Sequence, residues 1–300
     1  MLKLFRQNRL INSLIRRWIS FSRRFFDSLS KKWRISGVVD INVSGSTFKM
    51  FSKCDDGIVN LLYYGQDYVE KDDLNVFLSL VKNDFVVFDV GANTGLYSLA
   101  VKAKDPSATV YAFEPHPINL ERLDRNVQLN DLKGISTVGM AVGALNKVIN
   151  FTIPSNDQIS DTSSAIDEFS KNSYRGEIKW KQIQVKQTTL DDFLIERSID
   201  LVNLIKIDVE GYELSVFDGA KKTIESSKPF ILVESFLDKE KRTYFSKFIS
   251  DFDYEVFFIH NKGIVRGDIS RSDFPGLNFL LVPKTGLSHF IPLADLEKIT

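Results

Sequence analysis

Four acidic residues and one glycine loop stand where this chain could do chemistry. Asp89-Val90-Gly91-Ala92-Asn93-Thr94-Gly95 reads D-x-G-x-x-x-G. That differs from the dinucleotide pattern G-x-G-x-x-G. Glycine permits close backbone approach and left-handed dihedrals. A helix starting after the loop would offer amides to an anion. A tight strand–helix turn would need the same residues, so the loop alone leaves both readings open. Glu114 lies about 20 residues further on, where an acid can accept both hydroxyls of a ribose. No basic residue adjoins it to receive a 2′-phosphate. A nucleotide-like cofactor is therefore expected, either NAD or S-adenosylmethionine. Asp208 and Glu210 form the third cluster, each able to serve as base, hydroxyl acceptor or metal ligand. Two carboxylates alone do not establish a metal. They can equally cap the next helix or pair with Lys206.

These residues need elements to bring them together. Phe85-Val86-Val87-Phe88-Asp89-Val90 is a near-continuous apolar run, as expected for a strand buried on both faces. Helix is expected over Leu96–Lys104, strand over Ala108–Phe113 and helix over Pro117–Asn130. Further strands are expected near 135–141, 148–153, 181–188, 202–207, 230–234, 254–259 and 279–282. Helices are expected from Leu190, over Glu213–Ser226 and near 238–250. Alternation of this kind implies an α/β layer with a mostly parallel sheet. Ligands bind such sheets at the carboxyl ends of the strands, where Asp89, Glu114, Asp208 and Glu210 all fall. Ahead of this core, residues 37–83 read as a β lead-in: Val38–Val43, a turn at Ser44-Gly45-Ser46, Thr47–Phe51, then a helix starting at Asp72-Asp73.

The run Phe85 to Ser98 (FVVFDVGANTGLYS) resembles the first motif of S-adenosylmethionine-dependent methyltransferases of the FkbM type. Ala112–Pro117 (AFEPHP), Thr188–Phe193 (TTLDDF) and Ile205–Glu213 (IKIDVEGYE) are similar to further segments of that family, in the same order. The resemblance spans about residues 84–235. It implies a class I methyltransferase (Rossmann-like) fold, a seven-stranded sheet with the last strand antiparallel and Tyr254–Ile259 and Phe279–Val282 as its closing hairpin. It implies that Asp89, Gly91, Asn93 and Gly95 line the amino-acid portion of S-adenosylmethionine. Glu114 would hold the ribose, with Pro115 or His116 bordering the adenine. Many such enzymes carry an acid after the third strand to read the adenine. Here Met140-Ala141-Val142-Gly143 has none, so contacts near 140–142 must serve. It implies O-methylation of a hydroxyl on a sugar, glycan or related small molecule, with Asp208 and Glu210 as catalytic candidates. Glu234, His116 and His260 are weaker site candidates. Glu213 reads as a first-turn acid that complements a helix dipole.

Composition narrows the alternatives. Among 300 residues, 43% are hydrophobic, enough for a full core, and Phe supplies 24 of 36 aromatics, which implies aromatic packing layers. A single cysteine excludes an internal disulfide and fits a reducing compartment. The three histidines are far apart, against a histidine-rich metal site. The neutral net charge hides a division. Residues 1–36 hold ten Lys/Arg against Asp27 alone, so the remainder is acidic by nine charges. On a helical wheel the basic and apolar residues of 1–36 separate onto opposite halves. This predicts a basic amphipathic helix, set on an anionic membrane surface at the cytoplasmic face or packed on protein, including a second copy. The acidic body argues against nucleic acid. Residues 154–173, rich in Ser, Asn and Asp, would form a polar segment near the acceptor, with Ser163 and Ser164 as hydroxyl candidates. Two rivals remain: an NAD-dependent oxidoreductase, which the glycine spacing disfavours, and a non-catalytic adaptor.

Overall fold

The computed structural model describes residues 11, 12, 14, 35–53, 55–64, 71–155, 179–260, 263–271 and 278–290. The expectations for 1–36 and for Ser163 and Ser164 lie almost wholly outside them. Of the first segment Ile11, Asn12, Leu14, Ile35 and Ser36 are described; the first three are helical, and Ser36 already belongs to a strand.

The lead-in is an antiparallel hairpin of β1 (Ser36–Val43) and β2 (Ser46–Lys53). Its two-residue turn has positive φ at both Ser44 and Gly45, which matches the twist of the flanking strands. A short helix not expected from the sequence, α1 (Gly57–Tyr63), follows. Asp56 caps it, its Oδ1 accepting from Val59 N at 2.8 Å. Next comes α2 (Lys71–Leu80), with Asp72 and Asp73 in its first turn as expected.

The core alternates β3 (Val86–Val90), α3 (Leu96–Lys104), β4 (Thr109–Phe113), α4 (Pro117–Gln128) and β5 (Ile135–Val138). After an excursion the alternation resumes with α5 (Leu190–Glu196), β9 (Leu204–Ile207), α6 (Glu213–Asp218), α7 (Lys221–Ser227), β10 (Phe230–Glu234) and α8 (Lys239–Asp251). It ends with β11 (Tyr254–His260), β12 (Gly263–Arg266), β13 (Asn278–Pro283) and a terminal helical turn, α9 (Leu287–Phe290). The main sheet runs β12-β11-β13-β10-β9-β3-β4-β5. Strands β5, β4, β3, β9 and β10 are parallel, and β13 is antiparallel to both its neighbours. This is a class I methyltransferase sheet with an antiparallel final strand.

Three expectations are corrected. The sheet has eight strands among the described residues, not seven. Gly263–Arg266 returns along β11 at the edge, from His260↔Gly263 to Phe257↔Arg266. Its two apolar residues, Ile264 and Val265, are too short a run to announce a strand. The expected closing hairpin is consequently an antiparallel pair interrupted by that extra strand. The strands expected near 148–153 and 181–188 leave the main sheet. They appear as β7 (Lys147–Pro154) and β8 (Trp180–Thr188), paired antiparallel, with β6 (Ala141–Val142) parallel to β8. The single helix expected over Glu213–Ser226 is two helices. They break at Gly219, where a Cβ would stand 2.0 Å from the Gly143 carbonyl oxygen.

Core packing sits on both faces of the sheet. One cluster joins the lead-in, α2, α3 and β13, around Phe77, Leu99 and Leu280. The other joins α5–α8 to the opposite face. The aromatic layers are present there. Phe193 meets Phe88 and Phe113 edge-to-face, and Phe217 meets Phe245 and Phe248 in the same way.

Candidate active site

The carboxyl ends of β3, β4 and β9 converge on one cleft. A pocket of about 590 Å³ opens there, walled by Gly91, Asn93, Glu114, Asp208 and Glu210 on its polar side. Phe113, Pro115, Met140, Val142 and Phe151 form its apolar side. A second pocket of about 600 Å³ lies against the lead-in. The two meet at Asn93, Asp208 and Glu210, which line both.

The loop after β3 is held by its neighbours. Gly91 N and Ala92 N both donate to Phe113 O, at 3.0 and 2.9 Å. Asn93 N donates to Glu114 Oε2 and His116 N to Glu114 Oε1, each at 2.8 Å. Glu114 thus orders the loop that it faces. Its backbone bonds occupy one lone pair on each oxygen and leave another on each for ligand hydroxyls. Burial pushes the Glu114 carboxyl up to about 7, against those two N–H donors.

Gly91 has φ +81, and a Cβ there would lie 1.7 Å from the Asp208 carbonyl oxygen. The close approach that requires glycine is therefore loop against loop. Asn93 (φ +50), Gly95 (φ +95), Glu210 (φ +51) and Gly211 (φ +96) are also left-handed. Asparagine tolerates that conformation, but for glutamate it is uncommon, and such strain gathers at functional sites.

Asp89 and Gly95 line neither pocket. Asp89 is buried behind the loop, its Oδ2 accepting from Ser98 N and Ser98 Oγ at 3.1 and 2.6 Å, so it ties β3 to α3. Its Oδ1 meets no donor among the described residues, and burial raises its pKa above the usual carboxylate range against the pull of Lys206. A Cβ on Gly95 would meet Leu123 Cδ1 at 2.4 Å, so this glycine lets α3 and α4 pack. Pro115 lines the donor-side pocket. His116 is buried beneath it and caps α4, Nδ1 accepting from Ile118 N and Asn119 N. An imidazole in that role carries its proton on Nε2. Met140, Ala141 and Val142 line the pocket where an acid is lacking.

Asp208 is held by Lys206, Nζ to Oδ2 2.8 Å, and the same ammonium reaches Gly91 O at 3.3 Å and lies 4.9 Å from the Tyr97 ring centroid. Glu213 is in the first turn of α6, but it is 1% exposed and does more than face a dipole. It accepts from Gly211 N at 2.8 Å, from Lys241 Nζ at 2.5 Å and from Ser235 Oγ at 3.1 Å. A buried carboxylate with that many donors is a fixed anchor for the Glu210-Gly211 turn. Glu234 lines the second pocket. The side chain of His260 lies outside the described residues. No helix among the described residues is long and apolar enough to cross a membrane.

Residues not singled out from sequence complete the cleft. Asn119, Phe151 and Tyr212 join the donor-side pocket, and Met50, Asp56, Ile58, Thr94 and Tyr97 the second. Asn119 lies three residues past His116 in a helix whose start was legible, so its position was available. The lead-in residues gave no local signal. They reach the site through pairs far apart in sequence, such as Arg122 with Asp55 at 2.9 Å and Phe51 N with Asn126 Oδ1 at 2.8 Å.

S-adenosylmethionine fits these groups. There is an apolar slot for a flat base, a carboxylate with acceptor capacity for a ribose, and a polar junction beyond. Residues 89–263 match the family model described as the Methyltransferase FkbM domain. The chain is 30% identical over 146 residues to "Methyltransferase 1" of Beauveria bassiana, covering 46% of this chain and 59% of that protein. It is 27% identical over 165 residues to "Hexuronic acid methyltransferase AglP" of Haloferax volcanii, covering 55% and 62%. It is 29% identical over 162 residues to "2-O-methyltransferase NoeI" of Sinorhizobium fredii, covering 52% and 65%. The chain thus spans about three fifths of the length of these relatives. With more than half of its residues inside the matched domain and the sheet and cleft arranged as described, the chain belongs to the FkbM methyltransferase family.

Proposed function

We propose that this protein is an S-adenosylmethionine-dependent O-methyltransferase acting on a hydroxyl of a sugar, glycan or related small molecule. One observation carries the reading: two pockets, one suited to the donor and one open beside it, meet at Asn93, Asp208 and Glu210. S-adenosylmethionine supplies an activated methyl group on a sulfonium centre. Glu114 holds the ribose hydroxyls, and Met140, Val142 and Phe151 enclose the base. Asn93 and the backbone of Gly91 set the wall between the pockets. Asp208, already bonded to Lys206, keeps that wall in register. Glu210 lines both pockets, and we give it the acceptor's hydroxyl proton as general base. Holding the acceptor oxygen in line is worth more than the proton transfer itself, since well-oriented reactants gain on the order of 10⁵ M in effective concentration.

The relatives' names support an oxygen acceptor and a sugar-like substrate, since one is named a 2-O-methyltransferase and another a hexuronic acid methyltransferase. Calorimetry with S-adenosylmethionine, S-adenosylhomocysteine and NAD tests the donor. Micromolar binding of the first two and none of NAD is expected. The reverse pattern would return the oxidoreductase reading. Retained cellular function in Glu210→Ala would favour the adaptor. We also propose that residues 1–36 set the enzyme on an anionic membrane at its cytoplasmic face. The separation of basic and apolar residues of 1–36 onto opposite halves of a helical wheel supports this. Liposome flotation of the full chain beside a 1–36 deletion tests it, and equal behaviour would end the idea.

A further inference from the structure

The segment after β10 carries an aromatic ring in an unusual place. Phe236 is 67% exposed, and among the described residues it is the only aromatic in the group of exposed large apolar side chains. It stands just past the carboxyl end of a parallel strand of the main sheet, the end at which such sheets bind ligands. The rest of that group, such as Ile195 on α5 and Leu201 ahead of β9, lies elsewhere.

Alternation along the strand gives the direction of the ring. Phe230 and Leu232 pack with the cluster that includes the lead-in, while Ile231 and Val233 belong to the cluster on the opposite face. The alternation outlasts the strand. Glu234 lines the second pocket, Ser235 is buried against Glu213 and Lys241, and Leu237 is buried in the opposite cluster. Phe236 therefore shares the face of Glu234 and the second pocket, about 7 Å further along the chain.

A single exposed apolar residue is ordinary on a protein surface. This one is held in place by bonded neighbours. Ser235 Oγ donates to Glu213 Oε2 at 3.1 Å and accepts from Lys241 Nζ at 3.0 Å. Arg242 Nε donates to Leu237 O at 3.0 Å. Asp238 N donates to Phe236 O at 3.2 Å, and Asp238 Oδ1 caps α8. Glu213 also accepts from Gly211 N at 2.8 Å, so one carboxylate fixes both this segment and the turn that carries Glu210. A ring presented on such a frame loses little freedom when a ligand covers it.

We infer that Phe236 is an acceptor-binding residue that covers the apolar face of a ring joined to the unit being methylated. The acceptor is then at least two units long. The inference rests on reading the second pocket as the acceptor side of an S-adenosylmethionine-dependent O-methyltransferase. An aromatic face suits either the C–H face of a second sugar or the plane of an aryl group.

The test measures kcat and KM of the full-length protein with S-adenosylmethionine on three acceptors, for glucose, galactose and mannose in turn. They are the methyl glycoside, the phenyl glycoside and the corresponding disaccharide as its methyl glycoside. A ring-bearing acceptor should exceed the methyl glycoside about tenfold in kcat/KM, mostly through KM. Gain with the disaccharide identifies a glycan chain, and gain with the phenyl glycoside an aryl group; either supports the inference. Phe236→Ser should bring the ratio close to one, and Phe236→Trp should keep it. Ile195→Ser removes an equally exposed apolar side chain on α5 and should leave the ratio as it is. Equal use of all three acceptors overturns the inference. So does a Phe236→Ser variant that keeps the ratio, or a panel in which nothing is methylated while the donor binds normally. Failure of the wild type to bind S-adenosylmethionine would instead bring down the underlying functional reading.

Discussion

The two pockets share a wall but are built in different ways. The donor side is assembled from strand ends and the loops that follow them, each read from a continuous stretch of chain. Its carboxylate, Glu114, is bonded to the loop that it faces. The second pocket is assembled from pieces that meet only after the lead-in has folded onto α3 and α4. Arg122 bridges to Asp55, and Asn126 and Asn130 accept from the backbone of Phe51 and Lys49. The donor side needs only the strand ends of the main sheet and the loops after them, whereas the second pocket also needs the lead-in docked on that sheet.

The most severe way to break the contrast is at the wall itself. Gly91→Ala places a Cβ 1.7 Å from the Asp208 carbonyl oxygen at a positive φ. Both loops must separate, which costs roughly 2–4 kcal/mol. Donor affinity should fall at least 100-fold and activity should vanish, by calorimetry and methyl transfer, with both pockets affected together.

Glu114→Gln should act on the donor side alone. Both carboxylate oxygens accept backbone N–H bonds, so the new amide nitrogen must face a donor. Leaving such a buried group unsatisfied costs about 1–3 kcal/mol, or ten- to 100-fold in donor affinity. In the wild type the carboxyl titrates at about 7. Ribose hydroxyls favour its ionised form, so donor affinity should rise between pH 6 and 8, and the glutamine variant should lose that dependence.

Ile58→Ser should sharpen the comparison from the other side. This residue lines only the second pocket and lies outside the matched domain. Acceptor KM should rise about three- to tenfold, the worth of about 1 kcal/mol of apolar contact. The dissociation constant of S-adenosylmethionine should not move.

Behind the second pocket the expected effect is on stability alone, with activity unchanged. Asp73 is 4% exposed, and it accepts from Asn278 Nδ2 at 2.5 Å. Asp73 Oδ1 and Asn278 Oδ1 meet no donor among the described residues. Burial raises the Asp73 carboxyl from 3.8 to about 6. The folded state therefore holds this proton more tightly than the unfolded chain. Its stability is full below about pH 4, falls as the pH rises towards 6 and stays lower above. Asp73→Asn removes that loss and supplies a donor for Asn278 Oδ1. At pH 7.5 the variant should be more stable by about 1–2 kcal/mol, a rise of a few degrees in melting temperature, with little gain at pH 4.5.

The same contrast explains what could be read from sequence. The apolar runs at 85–90 and 230–234, the cap region at His116 and the acids at strand ends are local signals, and the strands, α4 and Glu114 follow from them. Asp89 and Gly95 belong to the same motif, yet they support the loop from behind. A motif records which residues a loop needs without saying which way each one faces. The excursion through β7 and β8 was read as strand correctly, but pattern alone does not assign a strand to a sheet. Met50 and Ile58 carry no mark of their role, because that role depends on contacts with residues 67–81 positions away.

Glu210 holds a backbone conformation that asparagine or glycine would adopt at lower cost, with φ +51 beside Gly211 at φ +96. Heat tolerance and turnover therefore pull this position in opposite directions. A library sorted by melting temperature would enrich Gly or Asn at 210, gaining on the order of 1 kcal/mol and discarding the carboxylate to which we give the proton. Directed evolution of a sturdier version should be scored by product formed, because resistance to heating alone would favour losing the reaction.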